Sequence, residues 1–323
     1  MGNTGAADIE RICKELLEWI ERNGWYCYDP YDLRGTKIVL YLLRRKSASA
    51  QKIARRVIAA LERTPLAARK LLGVKRSINP KALGLLAAAY ANLAEAKEEG
   101  VLVERAKRCA DWLLDNPSPG YSGLCWGYPF DWQSRVFIPN GTPSAVVSAV
   151  VGDGLWRLAV LTDENRYWDA CGSVCEFMVN DLNIDRPEPG KLCFSYTPID
   201  RFHVHNANLF VAEFLARVGR KTGRGEYVDL AIQAGDYALS EQRADGSLSY
   251  WGEAEGLPGR VQRDCYHSGF EIRALWGLWK ATGEARFCEA ALRYLDFFRR
   301  AYLREDGSVW LRPHHQYPVD IHG

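Results

Sequence analysis

The sequence predicts an all-α fold, an (α/α)6 toroid made of helix pairs, and three observations support this prediction. First, similar segments recur along the chain, because Thr162, Thr222 and Thr282 each begin a related block at a spacing of 60 residues. Second, apolar residues in each block follow the three- and four-residue spacing of an amphipathic helix. Third, a more apolar helix precedes each block, so the repeating unit is a pair of helices. A period of about 60 residues favours a closed ring over an open solenoid, whose helical repeats run at about 34 to 47 residues.

The chain is expected to form a single domain over residues 1–323, with a helical segment at 1–75 followed by helix pairs over 76–323. The N-terminal segment contributes helices around 7–22 and 48–63. The inner, more apolar helices are expected to start near Asn79, Thr142, His205 and His267. Two outer helices lead into turns of the same sequence, Asp-Gly-Ser, at 245–247 and 306–308. The final segment YPVDIHG resembles the start of another inner helix, so the toroid is expected either to be incomplete at its C-terminus or to close differently.

Composition and charge exclude several classes of protein. Hydrophobic residues make up 47% of the chain, and 42 Lys and Arg face 40 Asp and Glu, which gives a formal net charge of +2. So small a charge provides no strong field for nucleic acid. The N-terminus becomes charged within a few residues, and no uncharged apolar run of membrane-spanning length follows. Nine cysteines without disulfide-framework spacing fit a reducing compartment. We therefore expect a soluble, cytoplasmic protein without a membrane span.

The histidines are confined to loops that lead to inner helices in the second half of the chain. There are six: His203, His205, His267, His314, His315 and His322. In a toroid the starts of the inner helices converge on one face, so these side chains are expected to line one funnel. A single polar residue at such a start is more often a helix cap than a catalyst, as expected for Asn79, Thr142, Asn206 and Ser268. The shared placement of all six histidines favours a functional site.

The same loops carry aromatic rings beside carboxylates and amides. Aromatic faces pack on the apolar faces of sugar rings, while polar side chains fix the hydroxyl groups. Helix N-termini aimed at the funnel add positive potential, which the side chains of Arg135, Arg201 and Arg263 would strengthen. The loops therefore predict a saccharide site, and the positive potential indicates a substrate with a carboxylate or phosphate group.

Epimerisation or β-elimination beside a carboxylate needs one group that removes a carbon-bound proton and another that returns one or protonates the leaving oxygen. The candidates for base and acid are His205 and His267. Their expected proton-transfer partners are Tyr128, Tyr196 and Tyr266. The carboxylates expected to orient these groups or to act as alternative acids are Asp131, Asp200, Glu253 and Asp264. The rings expected to stack on sugars are Trp126, Trp132 and Trp251. Side chains expected to hold hydroxyls or a carboxylate are Arg201, His203, Asn206, Asn208, Arg263, Asp320 and His322.

No cofactor is predicted. Zinc is the weaker alternative, because suitable ligands occur but the chain has no CxxC pair and no HExxH helix. The residues that would supply such a site are Cys193, His203, His205, Asp264, Cys265 and His267. The nucleotide-binding patterns GxxxxGK[ST] and GxGxxG are absent from the sequence, as is the GxSxG motif of α/β-hydrolases.

The sequence resembles a family of (α/α)6-toroid proteins linked to bacterial and archaeal polysaccharide biosynthesis, including biofilm exopolysaccharide clusters. The segments that carry the resemblance are CWGYPFDWQS, IPNGTPS, CFSYTPIDRFHVHNANL, DGSLSYWGE, CYHSGFE and YPVDIH. Together with the segment YDPYDLRG near Tyr28, the resemblance covers nearly the whole chain. Some members are labelled delta-aminolevulinic acid dehydratase, which does not fit, because that enzyme looks like a β/α barrel with a Schiff-base lysine. The chain is also similar in fold to glucuronyl carbon-5 epimerases, polysaccharide lyases, unsaturated glucuronyl hydrolases and N-acylglucosamine epimerases.

The resemblance implies a role in polysaccharide or glycoconjugate biosynthesis, but the motifs of the family do not fix a reaction. Our leading hypothesis is an enzyme of such a synthesis that acts on an anionic, uronic-acid-type saccharide by epimerase- or lyase-like chemistry. The resemblance also implies association with other polysaccharide-synthesis proteins. Three alternatives stay open. The first is a glycoside hydrolase that uses two carboxylates. The second is a non-catalytic component that binds a saccharide or a partner. The third is a zinc-dependent toroid enzyme similar to prenyltransferase β subunits and lanthipeptide cyclases.

Overall fold

The computed structural model describes residues 2–45, 47–255 and 263–313. Contacts divide the chain into two compact units, which we call the N-terminal unit (residues 1–83 and 128–141) and the repeat unit (residues 84–127 and 142–323). The N-terminal unit thus extends beyond the helical segment 1–75 that the sequence indicates, and it includes the loop 128–141. The assignment of the whole chain to one domain stays a prediction.

The N-terminal unit contains four helices: α1 (Gly2–Asn23), α2 (Lys37–Leu43), α3 (Ala48–Arg63) and α4 (Pro65–Leu72). It also holds a two-stranded antiparallel hairpin of β1 (Trp132–Gln133) and β2 (Phe137–Ile138). The bounds of α3 agree with the predicted helix at 48–63. The helices α2 and α4 were not predicted, because seven or eight residues are too few to show a clear helical period.

The polar residues of the segment YDPYDLRG have a structural role in the N-terminal unit. Arg69 donates from Nε to both carboxylate oxygens of Asp32 at 2.9 and 3.1 Å, and from Nη2 to the backbone carbonyl of Asp29 at 2.7 Å. Asn79 donates from Nδ2 to the Asp29 carboxylate at 2.7 Å. Burial raises the pKa of Asp32, although the hydrogen bond from Arg69 opposes that shift. These contacts fix the segment against α4 and the start of the next helix.

The repeat series consists of helix pairs, as predicted. The helices are α5 (Pro80–Lys97), α6 (Gly100–Asp115), α7 (Ala145–Thr162), α8 (Asn165–Asn180), α9 (His205–Thr222), α10 (Gly225–Ser240), α11 (Cys265–Thr282) and α12 (Ala285–Ala301). An antiparallel hairpin, β3 (Ile184–Asp185) and β4 (Cys193–Phe194), lies between α8 and α9, with Ile184 opposite Phe194. The two predicted Asp-Gly-Ser turns are confirmed, since Gly246 and Gly307 have φ angles of +89° and +83°.

Three inner helices of the repeat unit pack side by side, each against its own outer helix. The helix α9 contacts α7 and α11, and the outer helices α8, α10 and α12 pack on α7, α9 and α11 respectively. Among the described residues, α7 alone is long and apolar enough to cross a membrane by length and composition. Because 67% of its residues are buried inside the fold and it carries Asp153 and Arg157, we interpret α7 as a core helix.

The cap of α7 differs from the sequence-based expectation. Ser144, rather than Thr142, caps this helix, because its Oγ accepts a hydrogen bond from the backbone N–H of Val147 at 3.2 Å. At α5 the expectation is confirmed, since Asn79 Oδ1 accepts the N–H of Lys81 at 2.9 Å. Several Ser, Thr, Asn and Asp residues near a helix start can serve as the cap, so the choice depends on where the chain turns.

The helices α5 and α7 approach closely at two glycines. A Cβ atom on Gly84 would lie 2.8 Å from Val151 Cα, and one on Gly154 would lie 2.5 Å from the Gly84 carbonyl oxygen. We expect Gly154→Ala to lower the free energy of unfolding by about 1–3 kcal/mol, because the neighbouring atom belongs to the backbone and cannot move aside like a flexible side chain. Urea denaturation would measure this change.

The matched control is Gly172→Ala in α8, where an added Cβ would meet nothing within 4 Å. This substitution is expected to raise the free energy of unfolding by about 0.5–1 kcal/mol, since alanine loses less backbone entropy than glycine when a helix forms. Equal effects of Gly154→Ala and Gly172→Ala would contradict the close contact between α5 and α7.

Candidate functional site

Three loops of the repeat unit meet at the N-terminal ends of the inner helices. The backbone N–H of His205 donates to the Tyr250 carbonyl at 3.1 Å, and Val204 pairs with Trp251 in an isolated antiparallel bridge. The N–H of Ala145, the first residue of α7, donates to the Tyr196 carbonyl at 2.9 Å. The loop before α9 is therefore joined both to the loop after α10 and to the start of α7.

His267 lies in the first turn of α11 and is the most accessible of the described histidines, with a side chain 29% exposed. Asp264, rather than the expected Ser268, caps α11, because its Oδ1 accepts the backbone N–H of His267 at 2.8 Å. The same carboxylate lies 2.8 Å from the ring nitrogen Nδ1 of His267. A carboxylate accepts a hydrogen bond from an N–H group, so Nδ1 of the neutral ring carries the hydrogen. Nε2 is then the nitrogen that can accept a proton.

Aromatic rings surround His267. The rings of Tyr250 and Tyr266 lie 4.7 and 5.4 Å from the imidazole, both edge-on. Tyr266 also contacts Phe270 at 4.7 Å, and Trp251 contacts Tyr250 at 5.0 Å. A part-buried imidazole among aromatic rings is a suitable setting for a sugar beside an acid–base group.

His205, the first residue of α9, is buried with only 1% of its surface exposed. Its Nε2 lies 2.8 Å from Glu241 Oε2, and its ring stacks on Tyr237 at 5.6 Å. Glu241 also accepts the backbone N–H of Glu253 at 2.9 Å. Burial raises the pKa of the Glu241 carboxyl, but the hydrogen bond and the charge of His205 outweigh this effect, so the pKa is lowered overall. Glu241 is therefore ionised and holds the proton of His205 on Nε2.

Two neighbouring polar atoms at the start of α9 are buried and find no hydrogen-bond partner among the described residues. They are Nδ1 of His205 and Oδ1 of Asn206. Leaving such an atom unpaired costs about 1–3 kcal/mol. The predicted cap role of Asn206 is wrong, because α9 already begins at His205 and Val204 occupies the cap position without a side-chain bond. The two unpaired atoms are instead suited to a ligand.

His203 uses both ring nitrogens within the protein. Nδ1 lies 2.8 Å from Tyr237 Oη, and Nε2 lies 2.8 Å from Asp185 Oδ2. The side chain is buried, and its backbone N–H donates to Glu255 at 2.7 Å. No ring nitrogen remains for a saccharide, so the structure corrects the prediction that His203 binds substrate directly.

Two further predicted substrate contacts are core residues. Trp126 is buried, and its indole N–H donates to the Leu113 carbonyl at 3.0 Å. Asn208 is completely buried, where it accepts the N–H of Phe194 at 3.0 Å and donates to the Ala234 carbonyl at 2.9 Å. The structure contradicts both predictions, because each side chain is buried and its polar atoms bond within the fold, which sequence pattern does not reveal.

Asp200 organises the loop that leads to His203. Its two carboxylate oxygens accept the backbone N–H groups of Tyr196, Thr197 and Phe202 at 2.8–3.2 Å, as well as the Thr197 hydroxyl. Burial raises the pKa of Asp200, and these hydrogen bonds oppose the shift. With its oxygens engaged, Asp200 orients the loop, and the alternative role of a catalytic acid is corrected.

The predicted arginines differ in what they contact. Arg263 donates from Nη1 to Asp245 and to Ser247, both at 2.8 Å, so its charge is used to hold the Asp-Gly-Ser turn. Its assignment to substrate stays a prediction. Arg201 is exposed and lines a cavity of about 190 Å³. The other lining residues are Asn183, Asp185, Cys193 and Ser195.

The remaining predicted residues belong to other segments of the chain. Glu253 is exposed in a short 3-10 helix, Glu253–Glu255. Tyr128, Asp131 and Trp132 belong to the N-terminal unit, where Tyr128 contacts Trp132 at 6.3 Å and Asp131 accepts the N–H of Asn140 at 2.7 Å. Their catalytic and binding roles stay predictions. The predicted residues outside the described ranges are Asp320 and His322, together with His314 and His315.

Sequence reasoning missed Asp185, Tyr237 and Glu241. A signal existed for Tyr237, because the equivalent positions 60 residues before and after it carry Phe177 and Phe297, which lack a hydroxyl. Asp185 and Glu241 give no comparable signal, since carboxylates at the end of a helix or in a hairpin are usually solvated surface charges.

Glu271 is a buried carboxyl within α11, one helical turn beyond His267. Its Oε2 accepts a hydrogen bond from the hydroxyl of Tyr294 at 2.6 Å, and Tyr294 Oη also lies 2.9 Å from Ser268 Oγ. Its Oε1 is buried and finds no partner in the described part of the chain. Burial raises the pKa of Glu271 to about 8, the hydrogen bond from Tyr294 opposes this shift, and the charge of Asp264 adds to it.

The potential zinc ligands do not form a cluster in the part of the chain that the structure describes. No group of three His, Cys, Asp or Glu side chains is placed there to hold a metal ion. Burial raises the pKa of Cys193 well above its ordinary value, so this thiol is neutral.

No protein-family model matches the sequence, and no curated protein matches it. Solved structures of similar fold include cellobiose 2-epimerase from Bacillus thermoamylovorans, with 11% identity and a TM-score of 0.56 over 87% of this chain and 78% of that one. An α-1,6-mannanase of Salegentibacter sp., in complex with α-1,6-mannotriose, has 14% identity and a TM-score of 0.55 over 91% and 85%. A GH76 α-mannanase of Bacteroides thetaiotaomicron has 12% identity and a TM-score of 0.52 over 75% and 63%. These likenesses show an (α/α)6-toroid fold.

The predicted fold class is therefore confirmed. At identities this low the similarity concerns the fold alone, because one fold carries many unrelated activities. The chain spans less than two thirds of the length of the Bacteroides mannanase.

Proposed function

We propose that the repeat unit carries the active site of a carbohydrate-active enzyme that removes and returns a proton on a saccharide carbon. The observation behind this proposal is that two histidines, His205 and His267, begin neighbouring inner helices and each has one ring nitrogen held by a carboxylate. A carboxylate that fixes one nitrogen leaves the other free to exchange a proton with substrate. The solved structures of similar fold, which include a sugar epimerase, support a carbohydrate substrate.

In the proposed reaction, Nδ1 of His205 takes the carbon-bound proton, and the electron pair of the broken C–H bond moves onto the adjacent carbonyl or carboxylate group. His267, which for this step carries a proton on each ring nitrogen, delivers the one on Nε2, either to the opposite face of the same carbon or to a leaving oxygen, and keeps the proton on Nδ1 beside Asp264. The first outcome is epimerisation or isomerisation, and the second is β-elimination. Tyr196 and Tyr266 are the proposed partners in proton transfer, while Trp251 provides the ring on which the sugar stacks.

An anionic, uronic-acid-type saccharide is the proposed substrate. Support comes from the exposed Arg201 and from the N-termini of α9 and α11, whose peptide dipoles favour negative charge. The resemblance of the sequence to polysaccharide-biosynthesis proteins supports a role in making a polysaccharide or glycoconjugate. We therefore also propose a cytoplasmic location and association with other proteins of such a synthesis system.

Glycoside hydrolysis is the rival reaction, because two of the similar solved structures are mannanases. Hydrolysis needs a pair of carboxyl groups that both face the scissile bond. In the described part of the repeat unit, the carboxylates nearest the site already serve other groups, since Glu241 and Asp264 hold histidines and Asp200 holds a loop. This arrangement favours proton transfer by imidazole.

The test is to incubate the protein with saccharides in D₂O and to follow the products by NMR. The substrate panel contains neutral hexoses, N-acylhexosamines, uronic-acid oligosaccharides and α-1,6-mannotriose. Deuterium at a carbon beside a carbonyl or carboxylate group, in an epimer or an unsaturated product, is the expected result. New reducing ends without deuterium on carbon would replace the proposal by hydrolysis. Saturable binding of a saccharide without any product would indicate a binding component.

Two variants at Asp264 separate its cap role from its role toward His267. Asp264→Ser keeps an oxygen that can cap α11 but removes the carboxylate from His267 Nδ1, whereas Asp264→Ala removes both. We expect both variants to lose activity, because His267 then no longer has a fixed proton position. Only Asp264→Ala is expected to lower the free energy of unfolding, by about 1 kcal/mol. Full activity of Asp264→Ser would contradict the assigned pair.

A further inference from the structure

A cavity of about 190 Å³ lies beside the β3–β4 hairpin of the repeat unit. Its lining residues are Asn183, Asp185, Cys193, Ser195 and Arg201. Neither His205 nor His267 is among them. Pockets that enclose drug-sized ligands measure about 300–1,000 Å³. The smaller cavity therefore fits a single sugar ring rather than an oligosaccharide.

Hydrogen bonds fix the walls of the cavity. Asn183 donates from Nδ2 to the carbonyl groups of Pro198 and Asp200, at 2.9 and 2.7 Å. Ser195 Oγ accepts the backbone N–H of Asn183 at 3.0 Å. These bonds tie the loop before α9 to the hairpin, and they place Arg201, the residue after Asp200, at the cavity. A preformed cavity of this kind loses little conformational entropy when a ligand binds.

In the next repeat, the equivalent of this place is closed by an ion pair. An arginine precedes the histidine of the inner helix by four residues in both repeats, as Arg201 in one and Arg263 in the other. Asp185 and Asp245 correspond likewise, at the 60-residue spacing of the repeat. In the later repeat, Arg263 Nη1 lies 2.8 Å from Asp245 Oδ2. The arginine and the aspartate thus neutralise each other there.

In the earlier repeat a histidine takes the place of the arginine. His203 Nε2 lies 2.8 Å from Asp185 Oδ2, whereas the residue equivalent to His203 in the next repeat is Cys265. Arg201 is exposed and forms no ion pair with any residue that the structure describes. Because His203 lies two residues before His205, the cavity adjoins the loop that begins α9. A guanidinium left unpaired at a cavity wall is suited to an anionic ligand.

The acceptor atoms of the cavity suit the hydroxyl groups of a sugar. Asp185 has a second carboxylate oxygen beside the one that meets His203, and Asn183 uses Nδ2 for the backbone, so its Oδ1 is the atom that can accept. A planar guanidinium matches a carboxylate with two parallel hydrogen bonds. A doubly charged phosphate would be repelled more strongly by the nearby Asp185 carboxylate. These groups together favour a sugar with a carboxylate group.

We propose that this cavity is a subsite for one carboxylate-bearing sugar ring, with Arg201 holding the carboxylate while Asp185 and Asn183 accept hydroxyl groups. The ring held here does not react, because neither proposed acid–base histidine lines the cavity. The inference deepens the proposed function and rests on it in one respect. The reacting ring lies at His205 and His267, and the ring at Arg201 is another unit of the same anionic saccharide. Arg201 thus determines specificity for a substrate of at least two units.

Binding of single sugars tests the subsite without any turnover. D-Glucuronate and D-galacturonate are titrated into the protein by calorimetry, beside their methyl esters, which keep the ring and remove the negative charge. The wild type is expected to bind at least one of the acids more tightly than its ester. Arg201→Gln is expected to weaken binding of that acid by about 10- to 100-fold, the usual effect of losing a charged hydrogen-bonded partner. Because the Arg201 side chain is exposed, the fold is expected to persist.

The matched control is Arg186→Gln in the same hairpin region. The Arg186 side chain is exposed and donates to Gln233 Oε1 at 2.8 Å, outside the cavity. This variant is expected to bind the acid with wild-type affinity. Equal affinity of Arg201→Gln and the wild type for the acid would overturn the subsite, as would equal binding of acid and ester, or no binding of either acid. Tighter binding of glucose 6-phosphate than of both acids would overturn the choice of a carboxylate.

Kinetics distinguish failure of the subsite from failure of the proposed function. With an anionic oligosaccharide identified as substrate in the D₂O assay, Arg201→Gln is expected to raise KM and to leave kcat unchanged, because Arg201 holds a ring that does not react. A lower kcat with unchanged KM would overturn the subsite and leave the proposed function intact. Absence of turnover in the wild type would remove the proposed function, whereas the comparison of acid and ester would still decide whether the cavity binds a carboxylate-bearing sugar.

Discussion

Replacing His267 by glutamine is expected to lower kcat by about 10²–10⁴-fold, the usual contribution of a positioned acid–base group. Glutamine keeps a polar side chain of similar length, but its amide neither takes nor gives a proton at neutral pH. The His267 side chain is part-exposed at the start of α11, so its loss leaves no large cavity and the fold is expected to persist. Steady-state rates and thermal unfolding of the same samples provide the measurement.

The control for His267→Gln is Gly269→Ala, two residues further along α11, where an added Cβ would meet nothing within 4 Å. This variant is expected to keep the wild-type kcat. If His267→Gln also kept the wild-type kcat, His267 would have no part in proton transfer, and the acid–base chemistry would have to be assigned to other groups of the site. If its thermal unfolding changed greatly, the loss of activity would reflect the fold instead.

Glu271→Gln is expected to remove a pH dependence of stability that the wild type shows. The folded pKa of about 8 lies above the ordinary value of 4.5, because burial disfavours the charged carboxylate. Between these values the folded state holds a proton that the unfolded state releases. The contribution of this proton to the free energy of unfolding is therefore fully present below about pH 4.5, and it is lost as the pH rises through about 8.

This loss amounts to about 4 kcal/mol between pH 5 and pH 9, since one pKa unit corresponds to about 1.4 kcal/mol. Glutamine has no such proton, so the free energy of unfolding of Glu271→Gln should exceed that of the wild type by a margin that grows with pH. Urea denaturation at several pH values measures the two curves. The control, Glu289→Gln on the exposed side of α12, is expected to run parallel to the wild type. Parallel curves for Glu271→Gln would show that Glu271 is not protonated in the folded protein.

Much of the site was visible in the sequence. The placement of His205 and His267 at the starts of inner helices follows from the repeat period, because helices of equal length in equivalent positions bring their ends to the same face. The carboxylate partner of His267 was also within reach, since Asp264 precedes it by three residues, the spacing of a helix cap. Local spacing can thus indicate a contact that depends on a single helical turn, although Ser268 rather than Asp264 was expected as the cap of α11.

The partners of His205 and His203 were not visible. Glu241 is 36 residues from His205, and Tyr237 is 34 residues from His203. Such pairs depend on how an outer helix packs on an inner one, and sequence pattern carries no information about which side chains then meet. For the same reason Trp126 resembled a sugar-stacking ring in the sequence but is a core residue in the structure.

The helix pairs, their order and the end of the repeat unit at which polar loops gather could all be predicted from the sequence alone. These features follow from apolar periodicity and turn residues, which act over a few positions along the chain. Which polar groups are engaged with the protein, and which are left for a ligand, depends on the packing of the folded chain. Burial and long-range hydrogen bonds determine this, because a polar atom removed from water must find its partner wherever the packed chain supplies one. Hence His203 is enclosed between Tyr237 and Asp185, whereas Nδ1 of His205 is left without a partner among the described residues.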